Sequence, residues 1–79
     1  MQVAPVDRYS SEVTLRLLID DQCLRIAQVG PNTLILRDQL DTATTSATLI
    51  ITVDGNERRQ AIVLPQGLSS KQESYRYFL

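Results

Sequence analysis

The side chains of this sequence that can do chemistry are mainly arginines and aspartates, because histidine is absent and cysteine occurs once. Histidine is the commonest general base and the commonest transition-metal ligand. Its absence therefore removes the usual residue of both a general-base site and a transition-metal site. Cys23 has no evident partner that would activate it as a nucleophile. A single free cysteine is typically a small buried side chain, so we expect Cys23 in or near the core. The composition therefore predicts a protein that is not an enzyme and takes no cofactor.

The aspartates lie in segments whose composition predicts turns or loops: Asp20, Asp21, Asp38, Asp41 and Asp54. In such segments a carboxylate commonly accepts hydrogen bonds from backbone N–H groups. Loops that meet at one end of a sheet can also hold calcium, but no spacing here matches a calcium-binding loop. The glycines stand singly and form no phosphate-binding cradle. We predict aspartates that stabilise turns, and no metal site.

Three arginines are candidates for contact with a small ligand: Arg16, Arg58 and Arg59. Guanidinium groups suit flat, bidentate contacts with carboxylates and phosphates. Neighbours on a strand point to opposite faces, so Arg58 and Arg59 cannot both hold one phosphate without a bulge. The formal charge of −1 argues against nonspecific nucleic-acid binding. The predicted strands before the C-terminal tail also lack the aromatic residues on which single-stranded bases stack.

The C-terminal tail is the strongest candidate for an interaction surface, because it holds three of the four aromatic residues. Alternation places Tyr75, Tyr77 and Leu79 on one side of the tail. Arg76 and Phe78 then lie on the other side, which is the pattern of a strand that can join a sheet edge. Tyrosine and arginine are also frequent at the energetic centres of interfaces. The edge can belong to this chain, to a second copy or to another protein.

Two functions are consistent with these residues. The first is a non-enzymatic protein-interaction or assembly module that forms a homodimer through an edge strand or through the tail. The alternative is a small-ligand or nucleotide sensor that uses the surface arginines. The N-terminal sequence lacks the regions of a secretion signal, and no apolar run reaches membrane-spanning length. With a lone cysteine, this predicts a cytoplasmic location and no membrane contact.

The segment 47–64 predicts a β-hairpin and is the clearest structural signal. Its first half is rich in β-branched residues and ends at Asp54-Gly55, where glycine reaches positive φ easily and permits a tight reversal. We predict a loop with an even number of residues. Such a loop places one apolar set on a common face toward the core: Ala47, Leu49, Ile51, Ile62 and Leu64.

A second hairpin is predicted around Gly30-Pro31-Asn32. Proline fixes φ for the first central position of the turn, and asparagine tolerates positive φ at the second. The preceding segment, residues 12–19, alternates apolar and polar side chains and predicts the first strand. The register centred on the proline gives three cross-strand pairs: Val29 with Leu34, Ala27 with Leu36, and Arg25 with Asp38 as an ion pair.

Together these segments predict an all-β domain of five or six mostly antiparallel strands, arranged as a small barrel or a two-layer sandwich. The domain spans residues 12–68 and follows a flexible N-terminal arm, residues 1–11. Residues 69–79 form a polar linker and the aromatic tail, a possible sixth strand. The predicted core consists of aliphatic residues: Val13, Leu15, Leu17, Ile26, Val29, Leu34, Leu36, Leu49, Ile51, Ile62 and Leu64.

Three short motifs follow one another within residues 13–68. They read AQVGP at 27–31, VDG at 53–55 and LPQG at 64–67. Their order resembles that of a group of short uncharacterised bacterial all-β proteins. The resemblance implies a bacterial origin and brings no activity with it.

More remotely, the layout is similar to that of PilZ-type barrels. That family binds a cyclic dinucleotide through a closely spaced arginine pair in an N-terminal arm and through a polar strand motif containing serine and glycine. Arg8 and Arg16 lack the family's spacing, and the sequence around Gly30 lacks the strand motif. The resemblance therefore implies a similar barrel without the nucleotide site.

Overall fold

The structure, a computed structural model, describes residues 12–79 and contains strands and turns but no helix in that range. The predicted N-terminal arm, residues 1–11, lies outside the described residues. The strands are rich in β-branched and alternating apolar residues, which fit a pleated, half-buried surface. In chain order they are β1 (Val13–Ile19), β2 (Gln22–Val29), β3 (Thr33–Leu36), β4 (Ser46–Val53), β5 (Asn56–Val63) and β6 (Ser74–Arg76).

The six strands form one antiparallel sheet in the order β5-β4-β1-β2-β3-β6. The sheet curls into a half-barrel, so the prediction of a small antiparallel all-β fold is confirmed. The two edge strands of the sheet are β5 and β6. An antiparallel bridge between Val63, at the end of β5, and Phe78, beyond β6, joins these two sides. The sheet therefore nearly closes on itself and holds its core on the concave side.

Two hairpins reverse through two-residue loops whose central residues have positive φ. Asp54 and Gly55 have φ of 49° and 86°, and Val53 pairs with Asn56 across them. The predicted even loop is therefore confirmed. Asp20 and Asp21, with φ of 51° and 62°, make the same kind of turn between β1 and β2. Positive φ at both central positions is the geometry of a type I′ turn, which matches the twist of the flanking strands.

The core agrees with the predicted set at most positions. Leu17, Leu34 and Leu64 are fully buried. Leu15, Val29 and Ile51 pack against this core while partly buried. Ala47 is buried, as its predicted place on the core-facing side of the hairpin requires. The structure adds buried residues that the prediction did not include in the core: Ile19, Leu24, Leu68, Tyr75 and Tyr77.

Two residues predicted to lie in or near the core are exposed. Val13 is 51% exposed at the first position of β1. Cys23 is exposed in β2, because burial of its neighbour Leu24 turns Cys23 toward the convex face. Both predictions of burial were wrong, because the face on which a strand residue lies and its position along the strand decide its exposure more than its polarity does.

A β-bulge in β2 explains why the predicted register of the second hairpin was only partly correct. Val29 pairs with Leu34 as predicted, but the register shifts between Gln28 and Ile26, and Ile26 pairs with Leu36. Ala27 is the extra residue, so its predicted pairing with Leu36 was wrong. The bulge lets Ile26 and Val29, three positions apart, both face the core.

Candidate interaction surface

The aromatic tail belongs to the protein's own sheet. β6 pairs antiparallel with β3, with Leu34 opposite Tyr75. Beyond the strand, the Tyr77 N–H donates to the carbonyl of Asn32 at 2.9 Å. The tail therefore supplies the sixth strand.

The two tail tyrosines that were candidate contact residues are buried, each 6% exposed. The Tyr77 hydroxyl donates to the carbonyl of Gly30 at 2.6 Å. The Tyr75 hydroxyl lies 2.7 Å from the carbonyl oxygens of both Ser69 and Gln72, and it accepts from the Ser69 N–H at 3.1 Å. Both aromatic rings pack in the core, while both hydroxyl groups form hydrogen bonds with the backbone of loops.

The other candidate tail residues lie on the surface. Arg76 is exposed on the opposite face of β6 from its tyrosine neighbours. Phe78 and Leu79 are 52% and 82% exposed. Val63, which is 43% exposed, pairs with Phe78 where the tail meets the end of β5.

The outer edge of β5 carries backbone groups with no strand partner among residues 12–79, apart from the bridge at Val63. Val63 donates to and accepts from Phe78 at 2.7 and 2.9 Å, so its N–H and C=O point away from β4. In an antiparallel strand, alternate residues share this direction. The backbone groups of Glu57, Arg59 and Ala61 therefore point away from the sheet as well.

The ligand-contact arginines predicted from the sequence do not converge on one space. Glu57 binds Arg59 through a 2.7 Å contact to its Nε, and lies 3.6 Å from Nη2 of Arg16. The hydrogen bond and charge of Arg59, followed by the charge of Arg16, lower the pKa of Glu57. Arg58 pairs with Ile51 and lies on the core-facing side of the sheet, whereas Arg59 pairs with Ile50 and lies on the convex side. Arg16 and Arg59 therefore both contact the Glu57 carboxylate, whereas Arg58 lies on the other side of the sheet.

A groove of about 610 Å³ lies between β6 and the segment 65–69. Arg76 and Phe78 line one wall, and Ser69 lines the other. Its volume falls within the range typical of small-molecule sites. A second depression, of about 490 Å³, lies beside Leu79 near the start of β4.

The loop residues Asp20 and Asp41 accept hydrogen bonds within the chain, but of these two only Asp41 accepts from a backbone N–H group, as predicted. Asp20 accepts from the hydroxyls of Thr42 and, at 2.7 Å, Thr44, and these two bonds lower its pKa. Asp41 accepts from the Ser70 N–H at 2.7 Å, which lowers the pKa of this carboxyl. These carboxylates link neighbouring loops to each other.

The predicted ion pair between Arg25 and Asp38 is present. Arg25 Nη2 lies 2.7 Å from Asp38 Oδ1, and the Arg25 backbone N–H donates to Oδ2 at 2.8 Å. The side-chain and backbone hydrogen bonds from Arg25 lower the pKa of Asp38 to about 2. The pair forms despite the bulge, because the carboxylate reaches back to the N–H of Arg25.

Within residues 12–79, no group of three or more histidine, cysteine, aspartate or glutamate side chains is arranged to hold a metal ion. The same residues contain no helix long and apolar enough to cross a bilayer. No family model, curated protein or solved structure matches this chain. The resemblances to short bacterial proteins and to PilZ-type barrels therefore stay predictions.

Two surface features were not predicted from the sequence. The free side of β5 depends on strand order, which the hairpin pattern leaves open. The groove depends on the approach of segment 65–69 to β6. One signal in the sequence was Gly67, whose φ of 66° is a conformation that other residues rarely adopt and which marks a turn within this segment.

Proposed function

We propose that this protein is a non-enzymatic interaction module that self-associates through the outer edge of β5. The observation that supports this proposal is the row of backbone N–H and C=O groups at Glu57, Arg59 and Ala61. They point away from the sheet and have no strand partner within residues 12–79. An edge strand with free N–H and C=O groups is a template for an added strand. The strand has 8 residues, which is long enough to offer a ladder.

A second copy of this chain fits the edge in one particular register. Two β5 strands related by a two-fold axis through Arg58 place Glu57 of one copy opposite Arg59 of the other, twice. Both residues direct their backbone groups outward, so each pair exchanges two backbone hydrogen bonds. Opposite charges in directly opposed positions stabilise an antiparallel pair. The same arrangement sets the two Arg58 side chains against each other, which opposes association.

The position of the tail supports this register. Phe78 already occupies the edge at Val63, so an added strand must stop short of that end of β5. Pairing centred on Arg58 uses the half of β5 next to the Asp54-Gly55 turn and leaves the bridge intact. The resulting interface is small, so we expect weak, concentration-dependent dimers.

The proposed setting is the bacterial cytoplasm. Cys23 is exposed, and a reducing compartment keeps such a thiol from forming disulfides. There a weak edge contact is suited to reversible assembly.

A charge-swap experiment tests the proposal. Sedimentation equilibrium is measured for the wild type, for Glu57→Arg, for Arg59→Glu and for the double variant, at protein concentrations up to about 1 mM. Each single variant opposes like charges across the axis and should weaken self-association about tenfold. The double variant restores opposite charges and should return to within roughly threefold of the wild-type constant. Circular dichroism confirms that all four proteins are folded.

Arg58→Gln supplies an independent control, because it removes the repulsion at the axis and should strengthen the dimer. A wild-type protein that stays monomeric over the whole concentration range rules out self-association. Single variants that associate as strongly as the wild type would rule out this register.

A further inference from the structure

We propose that the groove between β6 and segment 65–69 binds a small organic anion, with Arg76 holding the oxyanion and Phe78 contacting an apolar part. This site does not depend on self-association, because the register proposed for β5 leaves the bridge between Val63 and Phe78 intact. It also differs from the arginine set predicted from the sequence, in which Arg76 is a candidate for protein contact only.

The charge of the groove favours an anion. Arg76 is the charged side chain that lines it, and no aspartate or glutamate is found among the lining residues of the described chain. Arg76 also takes part in none of the ion pairs formed within residues 12–79. A guanidinium group without a carboxylate partner is free to bind a carboxylate or phosphate through two parallel hydrogen bonds.

The remaining lining supplies both further polar contacts and an apolar surface. Ser69 and Ser74, which carry hydroxyl groups, also line the groove. Phe78 and Pro65 contribute apolar surface at the same groove. Small-molecule sites combine apolar surface with a few placed polar groups, and this groove has both. The chemistry fits a flat apolar group that carries an oxyanion.

Both walls of the groove are fixed before any ligand arrives. The Tyr75 hydroxyl holds the backbone of Ser69 and Gln72, each through a contact of 2.7 Å. The Leu68 N–H donates to the Thr42 carbonyl at 2.9 Å, and Thr42 returns a bond of 3.1 Å. A preformed site avoids the entropy cost of ordering a loop on binding.

The test is a titration of the ¹⁵N-labelled full chain followed by amide chemical shifts. Phenyl phosphate and benzoate are the two anionic probes and distinguish phosphate from carboxylate preference. Benzyl alcohol is the neutral probe of similar shape. Each probe is also titrated into Arg76→Gln and into Arg58→Gln, which removes an exposed arginine outside the groove.

The proposal expects saturable shifts at residues 65–78 with at least one anion, and dissociation constants about tenfold weaker for Arg76→Gln. Arg58→Gln should bind as the wild type does. Three results would overturn the proposal: no saturable shift with either anion, equal binding by Arg76→Gln, or equal binding of benzyl alcohol. Failure of β5 pairing leaves this experiment unaffected, because its readout is local to the groove.

Discussion

The two edges of the sheet are protected in different ways. β6 is a 3-residue strand, and its flanking loop is held by the hydroxyl of buried Tyr75. β5 is an 8-residue strand whose residues are exposed except for Ile62, and charged side chains occupy its middle. A short covered edge and a long charged edge are two of the known ways to prevent unwanted strand pairing. Packing therefore closes one side of this sheet, whereas charged side chains and the bridge between Val63 and Phe78 protect the other.

This difference predicts where the structure tolerates change. On the β6 side, backbone segments approach each other closely and aromatic rings occupy the core, so small changes in volume have large costs. On the β5 side, outward groups are solvated and the strand is anchored mainly through β4. We therefore expect substitutions near β6 to reduce stability and substitutions along β5 to change association.

The largest contrast should come from two glycines with positive φ. At Gly67 an added Cβ would lie 2.2 Å from the carbonyl oxygen of Thr42, whereas at Gly55 it meets nothing within 4 Å. Gly67→Ala should lower the free energy of unfolding by about 3 kcal/mol or more, since backbone must move. Gly55→Ala should cost only about 1 kcal/mol, from the strained φ. Urea denaturation of both variants measures the difference, and equal losses would contradict the tight packing of segment 65–69.

Removal of the tail hydroxyls should have an intermediate effect. Tyr75→Phe leaves the Ser69 N–H and the Gln72 carbonyl without the hydroxyl, while the Ser69 carbonyl keeps the Gln72 N–H, and should cost about 1–3 kcal/mol. Tyr77→Phe removes a single bond to Gly30 and should cost about 1 kcal/mol. Arg58→Gln, at an exposed position of β5, should stay within about 0.5 kcal/mol of the wild type. Denaturant midpoints provide the measurement, and a neutral Tyr75→Phe would show that its hydroxyl does not stabilise the loop.

The smallest effect should be a pH dependence on the side of the sheet that carries β6. The pKa of Asp38 is lowered from 3.8 to about 2, chiefly by the Arg25 side-chain hydrogen bond. A lowered folded-state pKa stabilises the fold above the unfolded value, and this contribution is lost as pH falls from 3.8 to about 2. The stability difference between wild type and Asp38→Asn should therefore shrink across that interval.

Carboxyl-carbon chemical shifts give the pKa of Asp38 directly. Arg25→Gln removes the side-chain donor and should raise the pKa toward its ordinary value. A wild-type Asp38 that titrates at its ordinary value would contradict the ion pair. Amide hydrogen exchange at low pH should show the loss of stability in β2 and β3, and no change in β5.

Sequence reasoning succeeded where a local rule decides the outcome. Asp54-Gly55 predicted a tight turn with an even number of loop residues, because few residue pairs accept positive φ at both positions. It failed at the bulge, where strict alternation was assumed although Ile26 and Val29 are an odd number of positions apart. That spacing was the available signal for an extra residue. The exposure of Cys23 was missed for a related reason, since its face follows from the burial of Leu24.

The sequence by itself determined the all-β class, the tight hairpins and most of the core, because turn chemistry and alternation act over a few neighbouring residues. Only the tertiary structure decided that the tail joins β3, that β5 remains an edge, and that Arg76 lines a groove. These features depend on which distant segments meet. Each tyrosine of the tail was equally suited to an internal core and to a partner's surface, and the curl of the sheet placed both inside.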